Sequence, residues 1–565
     1  MTISSPGKIP SNIEIAQSAR PLQITEIARR AGLRMEEIQM YGEHKAKIGL
    51  KALSRVKTRP YGKLILVTAV TPTKAGEGKT STAIGLTQAM GRLRKRVMLT
   101  LREPSIGPIF GVKGGACGSG YAQILPMDDI NLHFTGDIHA IGTAHNLLAA
   151  MVENQVTHGN PNRIDPARIL WRRVTEIPDR NLRHVEVGLG GEGSLKRTTG
   201  FDITVASEIM AILALAKDFD DLKARLSRIV VAWDSEGRPV TAEQVRAVGA
   251  MALLLKEAVQ PNLVQTLEGQ PVLIHTGPFA NLAHGANSIM AVELAMRLAD
   301  YCVTECGFGA DLGFEKFCDI VLPGTGFAPD AVVLVATLRA LKVHGGLSLE
   351  AASAGENVPA LQAGFANLAH HLKIIRKFGL TPVVAINRFP SDSAMELKLV
   401  REHCLGLQVR FAVSEISQKG GEGGEALARE VMGALQEKGS QFKPLYQADR
   451  LSLEKKIERI ATEVYGADGV DFVESAPADL KWLESNGYGA LPVNMAKTQL
   501  SLSDDPKQVG VPTGWRLKVR QLRVAAGAGF VVALTGKILT LPGLPARPLA
   551  EQLDVDANGK ITGLF

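Results

Sequence analysis

Two residues suited to phosphate chemistry, Lys79 and Thr80, close a glycine loop, TPTKAGEGKTST (71–82), that follows an apolar run from Leu64 to Val70. A segment containing alanine and leucine comes next, so the local order is strand, loop, Lys-Thr, helix. In that layout the loop N–H groups and the helix N-terminus face an anion. The ammonium at 79 reaches terminal phosphates, and the hydroxyl at 80 ligates Mg²⁺. The expectation is ATP or GTP bound by Thr73, Lys74, Ala75, Gly76, Glu77, Gly78, Lys79 and Thr80, with Thr80 as the metal ligand. The general pattern places a glycine five residues before Gly78, where this chain has Thr73. On these residues alone, an ordinary glycine-rich strand–helix turn stays open as the alternative.

Val97 to Leu101 reads as a second buried strand, and LREPS (101–105) puts Arg102 and Glu103 at its carboxyl end. In an open parallel sheet that is the end at which ligands bind. A guanidinium there meets a phosphate or carboxylate with a bidentate fork. A surface arginine, or one paired with Glu103, is the plain alternative. Lys79, Arg102 and Glu103 are the candidate catalytic residues.

GVKGGACGSG (111–120) is too glycine-rich for a helix or central strand and suits close approach of backbone to a ligand, with Lys113 inside it. His133, Asp137, His139 and His145 follow, at spacings that match no standard zinc pattern. They are expected to be satisfied polar residues near a cleft. Arg172, Arg173, Arg180 and Arg183 form a local basic cluster, expected to be a solvated or interface face.

These residues need a scaffold to hold them. Residues 13–56 read as a helical lead-in covering the first strand, with Ile24, Ile27, Ala28 and Ala31 at helical spacing. FDITVASEIMAIL (201–213) passes from a strand-like start into an apolar helix. Apolar runs before 275–288, 305–317, 335–346 and 387–393 each lead into a polar or glycine loop, the rhythm of an α/β sheet. From about 445 the chain turns to charged helix, and 527–545 is strand-rich. At 565 residues the chain is too long for one core. Its 45% hydrophobic content with 57 glycines fits a loop-rich α/β enzyme. A net charge of +7 with scattered basic residues and only 5% aromatics makes no nucleic-acid stripe. Anionic small molecules are the simpler partner. Five cysteines without a CxxC pair, an N-terminus lacking a signal core, and no uncharged run of membrane-span length point to reduced thiols in the cytoplasm.

Longer motifs in the same chain resemble the formate–tetrahydrofolate ligase (10-formyltetrahydrofolate synthetase) family, from about residue 13 to 565. They are the 71–82 loop, LREPSIGPIFGVKGGACGSGYAQ (101–123), INLHFTGDIHAI (130–141), FDITVASEIMA (201–211), GPFANLAHGANS (277–288), GFGADLG (307–313), VATLRALKVHGG (335–346), MAKTQLSLSDDP (495–506) and the 527–545 end. The TPTxAGEGKT loop is this family's own form, so Thr73 is expected and Lys74, where Pro is usual, is the odd residue.

The resemblance implies a P-loop nucleotide-binding parallel-sheet domain (1–370) with two smaller attached domains, 371–490 contributing to the pterin site and 491–565 at the C-terminus. It implies ATP with Mg²⁺, formate and tetrahydrofolate as reactants, a homotetramer, and often a monovalent cation for which no ligand is named. Formate is already ionised at neutral pH, so attack on the γ-phosphate needs positioning and charge neutralisation rather than a base. A P-loop switch without ligase chemistry is the reading from another class; it leaves GFGADLG and VATLRALKVHGG unexplained.

The family grips its pterin ring between aromatic side chains. Phe308 and Phe389 match two of them, but the usual Trp of a V-W-A-K-G-G-E-G-G pattern is Ser417 here. Loss of one stacking face costs about 1–3 kcal/mol, roughly tenfold to a hundredfold in affinity. That weakens folate binding or signals another reduced pterin. Further departures are Cys117, Ser119, Thr276 (usually Gly), Ala286, Asn494 and Leu500.

Overall fold

Every residue of β1 (Lys63–Ala69) after Lys63 is buried, and its apolar side chains alternate between two cores. Leu64 and Leu66 join the core on one face, and Ile65, Val67 and Ala69 the core on the other. A strand covered on both faces reads as a continuous apolar run, which is why residues 64–70 show no polar alternation. The structure is a computed structural model describing residues 10–111, 117–190, 195–437, 440–536 and 538–564.

Around β1 lie β2 (Val97–Leu101), β3 (Asn262–Thr266), β4 (Pro271–Ile274), β5 (Tyr301–Glu305), β6 (Pro329–Ala336), β7 (Pro382–Asn387) and β8 (Arg410–Ser414). Their spatial order is β3–β4–β2–β5–β1–β6–β7–β8. β3 and β4 are antiparallel, while every neighbouring pair from β4 to β8 is parallel. The carboxyl ends of β2, β5, β1, β6, β7 and β8 therefore share one edge of the sheet. Helices Lys79–Arg92 and Glu425–Gln436 cover one face, through Ile84, Leu86, Met90, Leu427 and Val431. Helices Ile289–Leu298 and Val358–Lys377 cover the other, through Val292, Leu294, Leu361 and Leu372.

The lead-in over 13–56 is helical only in part. Asn12–Ser18, Ile24–Arg30 and Leu50–Val56 are helices, but Ile38–Met40 and Ala46–Ile48 form an antiparallel hairpin that extends the sheet beyond β3. Gly42, at φ +75° between the two strands, turns the chain back where a helix would have run on. Phe201–Ile203 and Glu208–Leu215 are strand and helix in the expected order.

The boundary expected at 370 falls inside helix Val358–Lys377, and β7 and β8 beyond it are hydrogen-bonded into the same sheet. Near the C-terminus, Val493–Ala496, Phe530–Leu534 and Gln521–Ala525 make a three-stranded sheet whose Met495, Phe530 and Val532 merge with one of the two main cores. Among the described residues no helix is long and apolar enough to cross a membrane.

Candidate functional site

The 71–78 loop leaves β1 and is braced from behind. Glu77 folds inward: its Oε1 accepts from the Thr73 amide at 2.8 Å and the Thr73 hydroxyl at 2.9 Å. Its Oε2 accepts from Thr337 Oγ1, just past β6, at 2.6 Å. The Asn387 amide at the end of β7 donates to the Glu77 carbonyl at 2.8 Å and stands 2.9 Å from where a Cβ on residue 78 would sit. Residue 78 is at φ +74°, so conformation and space both require glycine there. No side chain caps the helix that starts at Lys79, so its first-turn N–H groups face the loop mouth, ready for an anion. Lys74, Ala75 and Gly76 are exposed at the tip.

Glu305, at the end of β5, ties the next layer together. Its Oε2 accepts from Thr80 Oγ1 at 2.6 Å, and its Oε1 lies 3.1 Å from Arg102 Nη2. Burial alone would raise this carboxyl. The Arg102 guanidinium, the Thr80 hydroxyl and the Lys79 ammonium outweigh it and hold Glu305 below the ordinary carboxylate range. Arg102 thus pairs with Glu305 and not with Glu103. Sequence reasoning missed Glu305, although an acidic residue closing the apolar run YCVTE just before GFGADLG was a signal for it.

Glu103, the next residue along the chain, is buried. Its amide donates to the Thr276 carbonyl at 2.6 Å, while its Oε2 is buried without a hydrogen-bond partner. Burial, and then the negative charge of Asp137, push the Glu103 carboxyl well above the ordinary range, against the pull of Lys47. Lys47 and Asp137 form a buried ion pair at 2.5 Å, and Asn262 donates to Asp137 at 2.8 Å. Thr276 sits at φ +51°, an outlying conformation for a β-branched residue. Of the histidines, His145 is held between Ser207 Oγ and the Arg172 carbonyl, each at 2.8 Å, and burial pushes it down to about 4. His133 and His139 are exposed. Among the described residues no His, Cys, Asp and Glu group is arranged to hold a metal ion. All five cysteines are free and buried.

On the far side of the loop the residues are more open. Phe308, at φ +60°, is 39% exposed, and Phe389 is 38% exposed. The Arg339 guanidinium lies 4.9 Å from the centre of the Phe389 ring and donates to the Gly76 carbonyl at 3.4 Å, tying this aromatic to the loop. Phe308 is linked to the charged layer through Gly307, whose missing Cβ makes room for Arg102 Nη1. Ser417 is half-buried on the short helix Ile416–Lys419, and its carbonyl accepts from the Tyr121 amide at 3.0 Å. A Cβ on Gly120 would collide with that carbonyl. Lys113 lies outside the described residues.

The structure therefore gathers Lys79, Thr80, Arg102 and Glu305 at one edge of the sheet. Phe308, Phe389 and Ser417 follow the carboxyl ends of β5, β7 and β8 at the same edge. A cationic, amide-lined mouth beside open aromatic rings can hold a polyphosphate next to a flat heterocycle. A family model described as formate–tetrahydrofolate ligase matches residues 10–565. On a match of that extent, the chain belongs to the formate–tetrahydrofolate ligase family, whose members are ATP-dependent ligases.

Proposed function

We propose that the protein activates formate as formyl phosphate at the 71–80 loop and passes the formyl group to N10 of a tetrahydrofolate held by Phe308 and Phe389. A formate oxygen attacks the γ-phosphorus of ATP and ADP leaves. The N10 lone pair then attacks the formyl carbon, phosphate leaves, and N10 gives up its proton. Lys79 and the first-turn amides hold the triphosphate. Glu305 occupies the Nε and Nη2 side of Arg102, and the remaining guanidinium donors take formate and then the formyl phosphate oxygens. Glu103, buried beside Arg102, fixes the strand end through its amide bond to Thr276.

The oxygen donors Thr80 Oγ1 and the Glu305 carboxylate suit a hard cation, and Mg²⁺ held there supplies neutralisation of phosphoryl charge. The observation that carries this reading is the Thr80–Glu305–Arg102 chain, which joins a phosphate-type loop to a guanidinium held by Glu305 on one side only. A cytoplasmic homotetramer using a monovalent cation belongs to the same reading.

Ser417 favours a second version, with the same ATP and formate chemistry and a different reduced pterin as acceptor. Incubation of the pure protein with ATP, formate and tetrahydrofolate separates the two. Formation of 10-formyltetrahydrofolate supports the first. Absence of product at saturating folate, with turnover on another reduced pterin, replaces it with the second.

A further inference from the structure

The basic cluster at 172–183 is not simply a solvated face. Arg173 is ion-paired with Glu153 at 3.6 Å, and Arg180 donates to the Leu544 carbonyl. Arg172 and Arg183 instead line a cavity of about 420 Å³ that Arg520 and Arg523 from the C-terminal sheet region also line. Two carboxylates, Asp202 and Glu474, face these four arginines, and both are engaged. Glu474 is paired with Arg520, while Asp202 accepts from Thr540 Oγ1 at 2.6 Å and lies 3.8 Å from Arg172.

That leaves two guanidinium groups without a carboxylate within ion-pair distance among the described residues. Arg183 uses its Nε on the Leu541 carbonyl at 2.8 Å, and Arg523 uses its Nε on Gln521 Oε1 at 3.0 Å. In both, the terminal nitrogens, which form the bidentate fork, have no hydrogen-bond partner among the described residues. Desolvation, and after it the charge of Arg172, push the Arg523 guanidinium below the usual arginine range. Like charges collected in a concavity raise the free energy of the empty site and focus a field that attracts anions.

We propose that this cavity is an anion-binding site for a small molecule carrying two or more carboxylate or phosphate groups, held by the forks of Arg183 and Arg523 together with Arg172. The positive groups come from two distant stretches of the chain and gather three guanidiniums without enough carboxylate to neutralise them, so a ligand with one charge leaves part of the surplus unmatched. The volume admits a small molecule and no macromolecular segment. Asn281 also lines the cavity, on the loop whose Gly277 packs against the Glu103 carbonyl. The cavity thus shares a wall element with the candidate active site while using none of its charged residues. The ligand is either a free polyanion or a polyanionic tail on the acceptor, and both present the same chemistry to these arginines.

The test is calorimetric titration of citrate into the full-length protein. Wild type is expected to bind. Arg183→Gln and Arg523→Gln are expected to weaken binding by roughly tenfold or more, with Arg523→Lys in between. Lys79→Ala is expected to bind citrate like wild type, which separates this site from the 71–80 loop. Unaltered circular dichroism checks that each variant is folded, and unaltered ATP binding checks this further for the arginine variants; if Arg523→Gln does not fold, Arg183→Gln and Arg523→Lys carry the comparison. No binding to wild type, or equal binding to all the arginine variants, overturns the proposal. Steady-state kinetics then identifies the source. Competition between citrate and the acceptor, with a raised acceptor KM and unchanged kcat in Arg523→Gln, assigns a tail; binding without competition assigns a free anion. The titration does not depend on the ligase reading, so failure of one leaves the other standing.

Discussion

The two sides of the cleft are held in different ways. On the loop side each functional group is fixed by a partner from another strand: Thr80 and Arg102 by Glu305, Glu77 by Thr337, Gly78 by Asn387. On the aromatic side Phe308 and Phe389 leave more than a third of their surface open, and Ser417 offers a hydroxyl in place of a ring. Charge neutralisation in phosphoryl transfer depends on donors that need no reorganisation at the moment of reaction. A fixed network serves that need, and each member of it constrains the others. Stacking works through area and tolerates variation one face at a time. The departure at 417 therefore falls where a single replacement is least disruptive.

The largest expected effect lies on the fixed side. Arg102→Ala is expected to lower formate-dependent turnover by roughly 10²- to 10³-fold, the scale of removing one preorganised charge-stabilising donor. It also strips Glu305 of its main counter-charge, so a denaturant melt belongs beside the rate measurement. Retained formate-dependent activity would break the contrast between the two sides and remove Arg102 from the role assigned to it.

Ser417→Trp sharpens the contrast from the other side. A restored stacking face is expected to lower the KM for tetrahydrofolate by roughly tenfold to a hundredfold and leave the KM for ATP unchanged. The helix at 416–419 is anchored through the Ser417 backbone to Tyr121, so the side chain can change without losing that contact. An unchanged folate KM together with improved use of no other pterin would show that position 417 does not face the acceptor.

What the sequence disclosed follows the same division. The β1–loop–helix unit, Arg102 at the end of β2 and the repeated strand–loop rhythm were legible because apolar runs, glycines and a Lys-Thr pair carry local physical meaning. Glu305 and Asn387 were not singled out, since their roles arise only when β5 and β7 are placed near β1, hundreds of residues away. Arg172 and Arg183 read in sequence as a solvated or interface face for the same reason: the cavity they line is completed by Arg520 and Arg523, far along the chain. The hairpin at 38–48 was taken for helix because its few apolar residues are too short a run to show a period of two. Of the histidines after 130, His145 is a satisfied polar group with both ring nitrogens engaged, whereas His133 and His139 are exposed.

The two buried carboxyls at this strand edge, Glu305 and Glu103, are displaced in opposite directions, and this has a pH signature. Glu305 is held below the ordinary range and stays ionised. Glu103 is raised, so above the ordinary carboxylate pKa the folded protein keeps a proton that the unfolded chain has released. Stability from this group is therefore greatest in acid and is lost as pH rises from about 4.5 toward the raised value, with a slope near 1.4 kcal/mol per pH unit for one proton. Glu103→Gln is expected to remove that slope in urea melts run upward from about pH 5. An identical pH dependence in wild type and variant would mean that Glu103 is ionised in the folded state.

The smallest effect concerns the residue beneath Glu103. Thr276 combines a left-handed backbone, a β-branched side chain and a buried Oγ1 without a hydrogen-bond partner. Thr276→Gly relieves a conformational cost of about 1–2 kcal/mol and removes an unsatisfied hydroxyl. Against this stand the greater freedom of glycine in the unfolded chain, about 0.5–1 kcal/mol, and the void left by the three lost side-chain atoms. The balance is a gain of about 1 kcal/mol, visible as a higher urea midpoint at unchanged m-value. Because the Thr276 carbonyl receives the Glu103 amide, the kinetic outcome carries the comparison further. If the fixed side needs this strained residue to set Glu103 and Arg102, the more stable Thr276→Gly variant is slower in formate-dependent turnover with an unchanged folate KM. If turnover holds, the strain serves no catalytic end, and the rigidity of the loop side rests on the Glu305 and Glu77 networks alone.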